Sequence, residues 1–265
     1  MDPQEYELMY HKERQHWWYL GMEAITRALL RHWAGVKPLR ILDAGCGTGA
    51  AMTTYLAEHG NVTGIDISPL ALDFCRLREA QRLVRASLLD LPFAPASFDL
   101  VASLDVIYEQ AVPDDLTALK EISRVLAPGG LLLLRVPAYD WLRGRHDRRV
   151  HTARRYTAPR LAALLQAAGL HLEHLTYANM FLFPLLVTKR WLEHLWPSPA
   201  NTSDLSFDVG FMAWFFRGIL TAEALLASRC RLPLGSSVIA IGRKKVTAHH
   251  SSPFLACQNR TIQRK

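Results

Sequence analysis

The residues of this chain best suited to chemistry lie in the stretch Ile41 to Ala50, Ile-Leu-Asp-Ala-Gly-Cys-Gly-Thr-Gly-Ala. Gly45, Gly47 and Gly49 recur at every second position after a short apolar run. Such a turn lets a bulky ligand lie against the backbone, because glycine visits φ/ψ regions that a Cβ resists. The helix start that follows offers free N–H groups to an anionic ligand group such as a carboxylate or phosphate. A dinucleotide-binding turn reads G-x-G-x-x-G; this one reads G-x-G-x-G, with Asp43 two residues ahead of it. A second acid, Asp66, ends the apolar run Val62 to Ile65, where an acid is placed to accept hydrogen bonds from ribose hydroxyls.

These residues need a scaffold that presents strand ends and helix starts together, and the chain alternates accordingly. Apolar runs predict strands at Leu39 to Ala44, Asn61 to Asp66, Leu83 to Ala86, Phe98 to Ser103 and Leu131 to Val136. Helical spacing predicts helices over Ala50 to His59, Pro69 to Gln81, Asp114 to Leu126 and Ala158 to Ala168, the last stopped by Gly169. Further strands fall at His171 to Tyr177 and Ser236 to Gly242. Alternating strands and helices imply an α/β fold, a mostly parallel sheet with helices on both faces.

Four blocks in this order resemble the class I S-adenosylmethionine (SAM) dependent methyltransferases, of the small-molecule and quinone O-methyltransferase type. They are the glycine turn, Asp66, Asp99 in Ser-Phe-Asp-Leu-Val, and Arg-Val-Leu-Ala-Pro-Gly-Gly at Arg124 to Gly130. The resemblance covers roughly residues 38 to 180. It implies a Rossmann-like seven-stranded sheet whose last strand is antiparallel, with SAM as cofactor. It places the Gly45, Gly47 and Gly49 backbone against the methionine portion and Asp43 near its ammonium. Asp66 takes the ribose hydroxyls, Ile67 packs on the adenine, and Leu104 ends the fourth strand beside the cofactor. The family's adenine-binding acid is replaced here by Ser87, so either Ser87 or the Leu88 backbone recognises the adenine.

On the acceptor side, methyl transfer to a hydroxyl requires a proton acceptor, and histidine has a suitable pKa. The resemblance places the run after the fifth strand at the acceptor, with His151 as general base, Tyr156 as its aromatic companion and His146 as the second candidate. Arg155 from the same run is a candidate clamp for an acidic group. Tyr108 and Glu109 stand where the family often carries Glu-His, which argues against a metal-assisted mechanism but leaves both as candidates for acceptor contact. No metal-ligand cluster is recognised elsewhere. Tyr19, in an aromatic amino-terminal cap over residues 1–37, is a further candidate for acceptor contact.

The stretch from Ala178 to Gly235 separates the last two strands, where the family usually has a short turn. It predicts two aromatic-rich helices, Leu182 to Trp196 and Val209 to Cys230, flanking the loop Pro197 to Phe207. Its apolar content must bury against the rest of the chain, a second subunit or a membrane surface. An apolar insert beside an arginine-rich loop suggests a small or amphiphilic, lipid-like acceptor.

Half the residues are apolar and 21% charged, as expected of a globular chain, and 265 residues suit one domain with additions. The formal charge of +7 is concentrated in arginines 143 to 160 and in the basic tail, residues 244–265, expected to be disordered. A basic balance admits nucleic acid, anionic lipid or an acidic substrate. Leu104 to Tyr108 lacks the Asn- or Asp-Pro-Pro-Tyr block of amino-methylating DNA enzymes, so nucleic acid is the weaker alternative. A non-catalytic SAM-binding partner protein is the other. The four cysteines form no C-x-x-C pair and no apolar leader opens the chain, so a cytoplasmic protein, with peripheral membrane contact or dimerisation through the insert, is expected.

Overall fold

The structure, a computed structural model, describes residues 1–35, 37–195 and 210–246, with the side chains of 145, 146 and 193–195 outside that description. The loop Pro197 to Phe207 and the tail from residue 247 therefore lie outside the described residues.

Seven strands form one sheet: β1 (Leu39–Ala44), β2 (Gly60–Asp66), β3 (Leu83–Arg85), β4 (Phe98–Leu104), β5 (Leu126–Pro137), β6 (Leu170–Ala178) and β7 (Ser237–Lys244). Their order is β3-β2-β1-β4-β5-β7-β6. β1 pairs in parallel with both β2 and β4, whereas β7 runs antiparallel to β5 and β6. Ile41, Leu42, Val101, Leu132 and Leu134 are buried in the middle of this sheet. Continuous apolar runs of this kind belong to strands covered on both faces. The strand order reverses beside β1, so the β1 and β4 exits open a crevice at the sheet's carboxyl edge.

The helices are α1 (Pro3–Lys12), α2 (Trp17–Trp33), α3 (Ala50–Thr53), α4 (Pro69–Leu77), α5 (Asp115–Val125), α6 (Arg145–Arg149), α7 (Ala158–Ala167), α8 (Phe183–Leu195) and α9 (Ala213–Ala227). The Asp114 carboxylate caps α5 by accepting from the Leu116 and Thr117 N–H groups. α3 is shorter than the helix expected over Ala50 to His59. Thr53 and Thr54 turn their hydroxyls back onto the carbonyls of Gly49 and Ala50, and the backbone leaves the helical region at Thr54. α4 likewise stops at Leu77 instead of Gln81, because Glu79 adopts φ 63°.

The run after β5 is not a loose basic loop. Arg143 donates to the carbonyls of Thr152 and Ala153, Arg154 to those of Val112 and Pro113, and Arg155 to Ala138 and both oxygens of Asp147. These arginines satisfy backbone acceptors that irregular chain would otherwise leave bare.

The insert is rooted on the protein by a buried acid. The Glu223 carboxylate accepts the N–H groups of Asn179, Met180 and Phe181 at the start of the α8 segment. α9 lies along α2, and the contact is close because Gly21 has no side chain. A Cβ there would fall 2.2 Å from Leu220 Cδ1 and 2.6 Å from its Cβ. Gly21→Val should therefore destabilise the protein by about 1–3 kcal/mol through overpacking, read as a lower urea midpoint with unchanged slope. A variant as stable as the parent would mean that α9 is not held at this site.

Candidate active site

The glycine turn is pinned to its neighbour strand. Gly45 and Cys46 both donate their N–H groups to the Ile65 carbonyl at the end of β2 (2.9 and 2.8 Å). Gly45 has φ +88° and presses on the loop after β4, where a Cβ would lie 2.4 Å from Val106 Cγ2. Only glycine satisfies both conditions. Gly47 donates to Asp66 Oδ2 at 3.0 Å and Ser68 N–H to Oδ1 at 2.9 Å. Asp66 thus locks the turn to β2 while keeping acceptor capacity for a ligand. Burial raises its pKa, and these backbone hydrogen bonds counter that.

Asp43 sits beneath the turn with 2% exposure. Its Oδ2 has no hydrogen-bond partner among the described residues. Burial, then the charges of Asp66 and Glu13, push its pKa up to about 7. A buried carboxylate oxygen left bare beside other acids is a costly arrangement unless a ligand brings a donor or a cation. That is what the ammonium of an amino-acid-like cofactor supplies.

A cavity of about 590 Å³ opens over these groups, within the range of small-molecule sites. Its roof is the amino-terminal segment, from which Tyr6, Met9 and Glu13 line the space. The roof is held by the Glu13–Arg78 ion pair at 2.6 Å, with both side chains nearly enclosed. Thr48 donates to the same carboxylate. Arg78 also bonds the Thr48 and Tyr10 carbonyls and stands 4.3 Å over the Tyr10 ring. Glu13 and Arg78 carry no signal in a single sequence, since their distance along the chain matches no motif.

Of the residues expected at the cofactor, Asp43, Gly45, Gly47, Asp66, Ile67, Ser87, Leu88 and Leu104 line the cavity. Gly49 does not; it shapes the turn from behind, against Cys75. Ser87 Oγ accepts the Leu89 N–H at 3.2 Å within its own turn. Of those expected at the acceptor, Tyr19, Tyr108, Glu109 and Arg155 line the same cavity.

The structure places His151 and Tyr156 away from the cavity lining. His151 lies outside the lining, its Nε2 2.8 Å from Asp2 Oδ1, so it ties the amino-terminal segment to the run after β5. Glu5 and Arg149 add a second tie at 3.0 Å. Tyr156 is fully buried and donates its hydroxyl to Asp115. The His146 side chain lies outside the described residues.

An acid on the lining beside Tyr108 is Glu109. Its pKa is pushed up to about 7 by burial first and then by Asp66 and Asp105, against the lowering effect of the chain's amino terminus. Asp105 is paired with Arg135 at 2.7 Å and Asp147 with Arg155 at 2.9 Å. No hydrogen bond or ion pair to the Glu109 carboxylate is found among the described residues. Its place in the loop after β4 was legible in the sequence; its charge state was not.

Strand order, glycine turn and buried acids define an α/β fold with a cavity at the carboxyl edge of its sheet. Residues 42–134 match the family model described as methyltransferase domain. The chain is 38% identical over 104 residues to demethylmenaquinone methyltransferase of Staphylococcus aureus, covering 37% of this chain and 42% of the relative. It is 32% identical over 130 residues to the O-methyltransferase rstn1 of Aspergillus nomiae, covering 46% and 57%. The chain thus spans about half the length of the curated relatives it matches. A chain from the complex between the Haloferax volcanii Trm112 methyltransferase activator and a methyltransferase superposes with TM-score 0.60 at 20% identity, covering 94% of this chain and 96% of that one. Residues 42–134 are thus similar to a methyltransferase domain, and the chain shares the fold of that solved structure.

The Asp43 pKa gives the ligand-free protein a pH signature. The folded state holds this proton up to about pH 7, against an ordinary value of 3.8. The folded state therefore binds more protons than the unfolded state between those values, and stability falls as pH rises through the window. Asp43→Asn should remove that slope and exceed the parent above pH 7 by roughly 2–4 kcal/mol. Denaturant unfolding across pH 4 to 8 checks it, and parallel curves for the two proteins would contradict it.

Proposed function

We propose that this protein transfers the methyl group of SAM to a hydroxyl of a small or amphiphilic acceptor, with Glu109 receiving the acceptor's proton. The observation that carries the reading is the arrangement in one cavity of the bare Asp43 oxygen, the Asp66-locked glycine turn and the Glu109 carboxylate.

Asp43 holds the ammonium end of the cofactor, Asp66 the ribose hydroxyls, and Ile67 with Leu88 the adenine. Bound SAM supplies a methyl group on a sulfonium, already activated. The protein's remaining tasks are orientation, exclusion of water and proton removal. α1 closes the cofactor end from water. Glu109, with a pKa near neutral and a face on the cavity, is matched to the proton. Beyond it the lining turns apolar through Leu142, Val150, Leu182, Leu186 and Phe216, with Lys189 and Arg190 among them. That combination suits an acceptor with a greasy body and an acidic or polar group. The relative named an O-methyltransferase supports a hydroxyl acceptor. Arginines 143, 154 and 155 are engaged with backbone carbonyls, which disfavours a nucleic-acid track through this run.

Calorimetric titration with S-adenosylhomocysteine tests the cofactor half. The parent should bind, Asp66→Ala should lose about tenfold to a hundredfold in affinity, and Glu109→Gln should stay within a few-fold. An Asp66→Ala protein that binds as the parent does would sink the assignment. For proton removal, a panel of phenolic and acidic amphiphilic acceptors should give turnover that rises with pH through about 7. Glu109→Gln should lower it by about 10²–10⁴ and flatten the profile, whereas His151→Ala should leave the profile's shape intact.

A further inference from the structure

α9 presents two apolar faces, and only one is covered. Phe216, Leu220, Ala224 and Ala227 are buried along the inner face, on the α2 side. The opposite face carries Phe211 (just ahead of the helix), Trp214, Phe215, Ala222, Leu225 and Leu226, all exposed, at the i, i+3, i+4 spacing of one stripe. Phe211 is 83%, Trp214 69% and Leu225 72% exposed. A helix apolar all round is ordinarily enclosed, and residues 210–227 are apolar enough over their length to meet a membrane's composition. α8 adds exposed Trp191 and Leu192. Leu185, half exposed, also lines the cavity, and so does Phe216 beside Phe215. The apolar surface therefore runs into the cavity mouth.

Among the described residues of the insert, the exposed charges have one sign. Among the described side chains of residues 178–236, the exposed charged groups are Arg217, Arg229 and Arg231. The one described acid, Glu223, is fully buried on the α8 root. A second copy docking by this face across a two-fold axis would set these cations against themselves. An anionic headgroup layer complements them, and tryptophan and phenylalanine are the side chains that settle at the boundary of headgroups and acyl chains.

We propose that this face docks on the surface of an anionic lipid bilayer, with α9 lying in the plane of the interface and the cavity mouth facing the lipid. The inner face of α9 stays on the protein, so the helix rests on the membrane and does not cross it. The inference deepens the proposed function by naming the source of the acceptor, an amphiphile entering laterally from the bilayer, and rests on that reading for this last step alone.

Co-sedimentation of the full chain with vesicles tests it, using phosphatidylcholine alone and phosphatidylcholine mixed with phosphatidylglycerol. The parent should pellet with the anionic vesicles and be released by high salt. The double substitution Trp214→Ser and Phe215→Ser, at exposed positions, should weaken partition by more than about tenfold. The pair Arg217→Glu and Arg229→Glu should abolish the preference for phosphatidylglycerol. Both should bind S-adenosylhomocysteine as the parent does, which shows them folded. A parent that stays in the supernatant with every vesicle would overturn the proposal. So would a stable dimer of the parent that the serine pair converts to monomers, because the face would then belong to a second copy. Vesicle binding by a parent that fails to bind S-adenosylhomocysteine would leave docking standing and remove the methyl-transfer reading.

Discussion

The contact on which the rest of the structure depends is the one between the glycine turn and the end of β2. Two N–H groups of the turn share the Ile65 carbonyl, and a third goes to the Asp66 carboxylate next to it. This cluster holds the chain in left-handed conformations that would otherwise relax. It also draws Asp43 and Asp66 into one buried space, where burial and their mutual charge raise the Asp43 pKa. Crowding two carboxylates in a buried space is unfavourable for their charged forms, and the backbone N–H groups of Gly47 and Ser68 offset this at Asp66.

The remainder of the cavity is closed by parts of the chain that are distant in sequence. α1 forms the roof through Glu13 and Arg78, and its far end is tied down by Asp2 to His151 and Glu5 to Arg149. These ties join the roof to both the glycine-turn side and the run after β5. Two sides of the cavity are thus spanned by one segment. His151 sits in this scheme as a tie between the amino-terminal roof and the run after β5.

The insert solves a different problem. β6 and β7 need only a turn to pair, and Glu223 with the Gly21–Leu220 contact shows how the added helices are fastened to the body. Fastening one face of α9 leaves the other face apolar and open, next to a cavity whose outer lining is also apolar.

The strand and helix alternation, the glycine turn, Asp43 and Asp66 were all legible in the sequence, because each depends on local conformation: periodicity, φ preference, and an acid at a strand end. All seven strands fall within a few residues of their expected bounds, β5 beginning earliest of all because Phe98 pairs with Leu126 ahead of the Gly129–Gly130 turn. Glu109 in the loop after β4 was placed at the acceptor by the family resemblance alone. What the sequence could not decide was which acid or base faces the acceptor. His151 and Tyr156 have the right chemistry but point into ties with Asp2 and Asp115, while Glu109 is left facing the cavity. Orientation and charge state depend on which side chains from distant parts of the chain arrive as partners and how much water they exclude, and that is settled only when the tertiary structure closes.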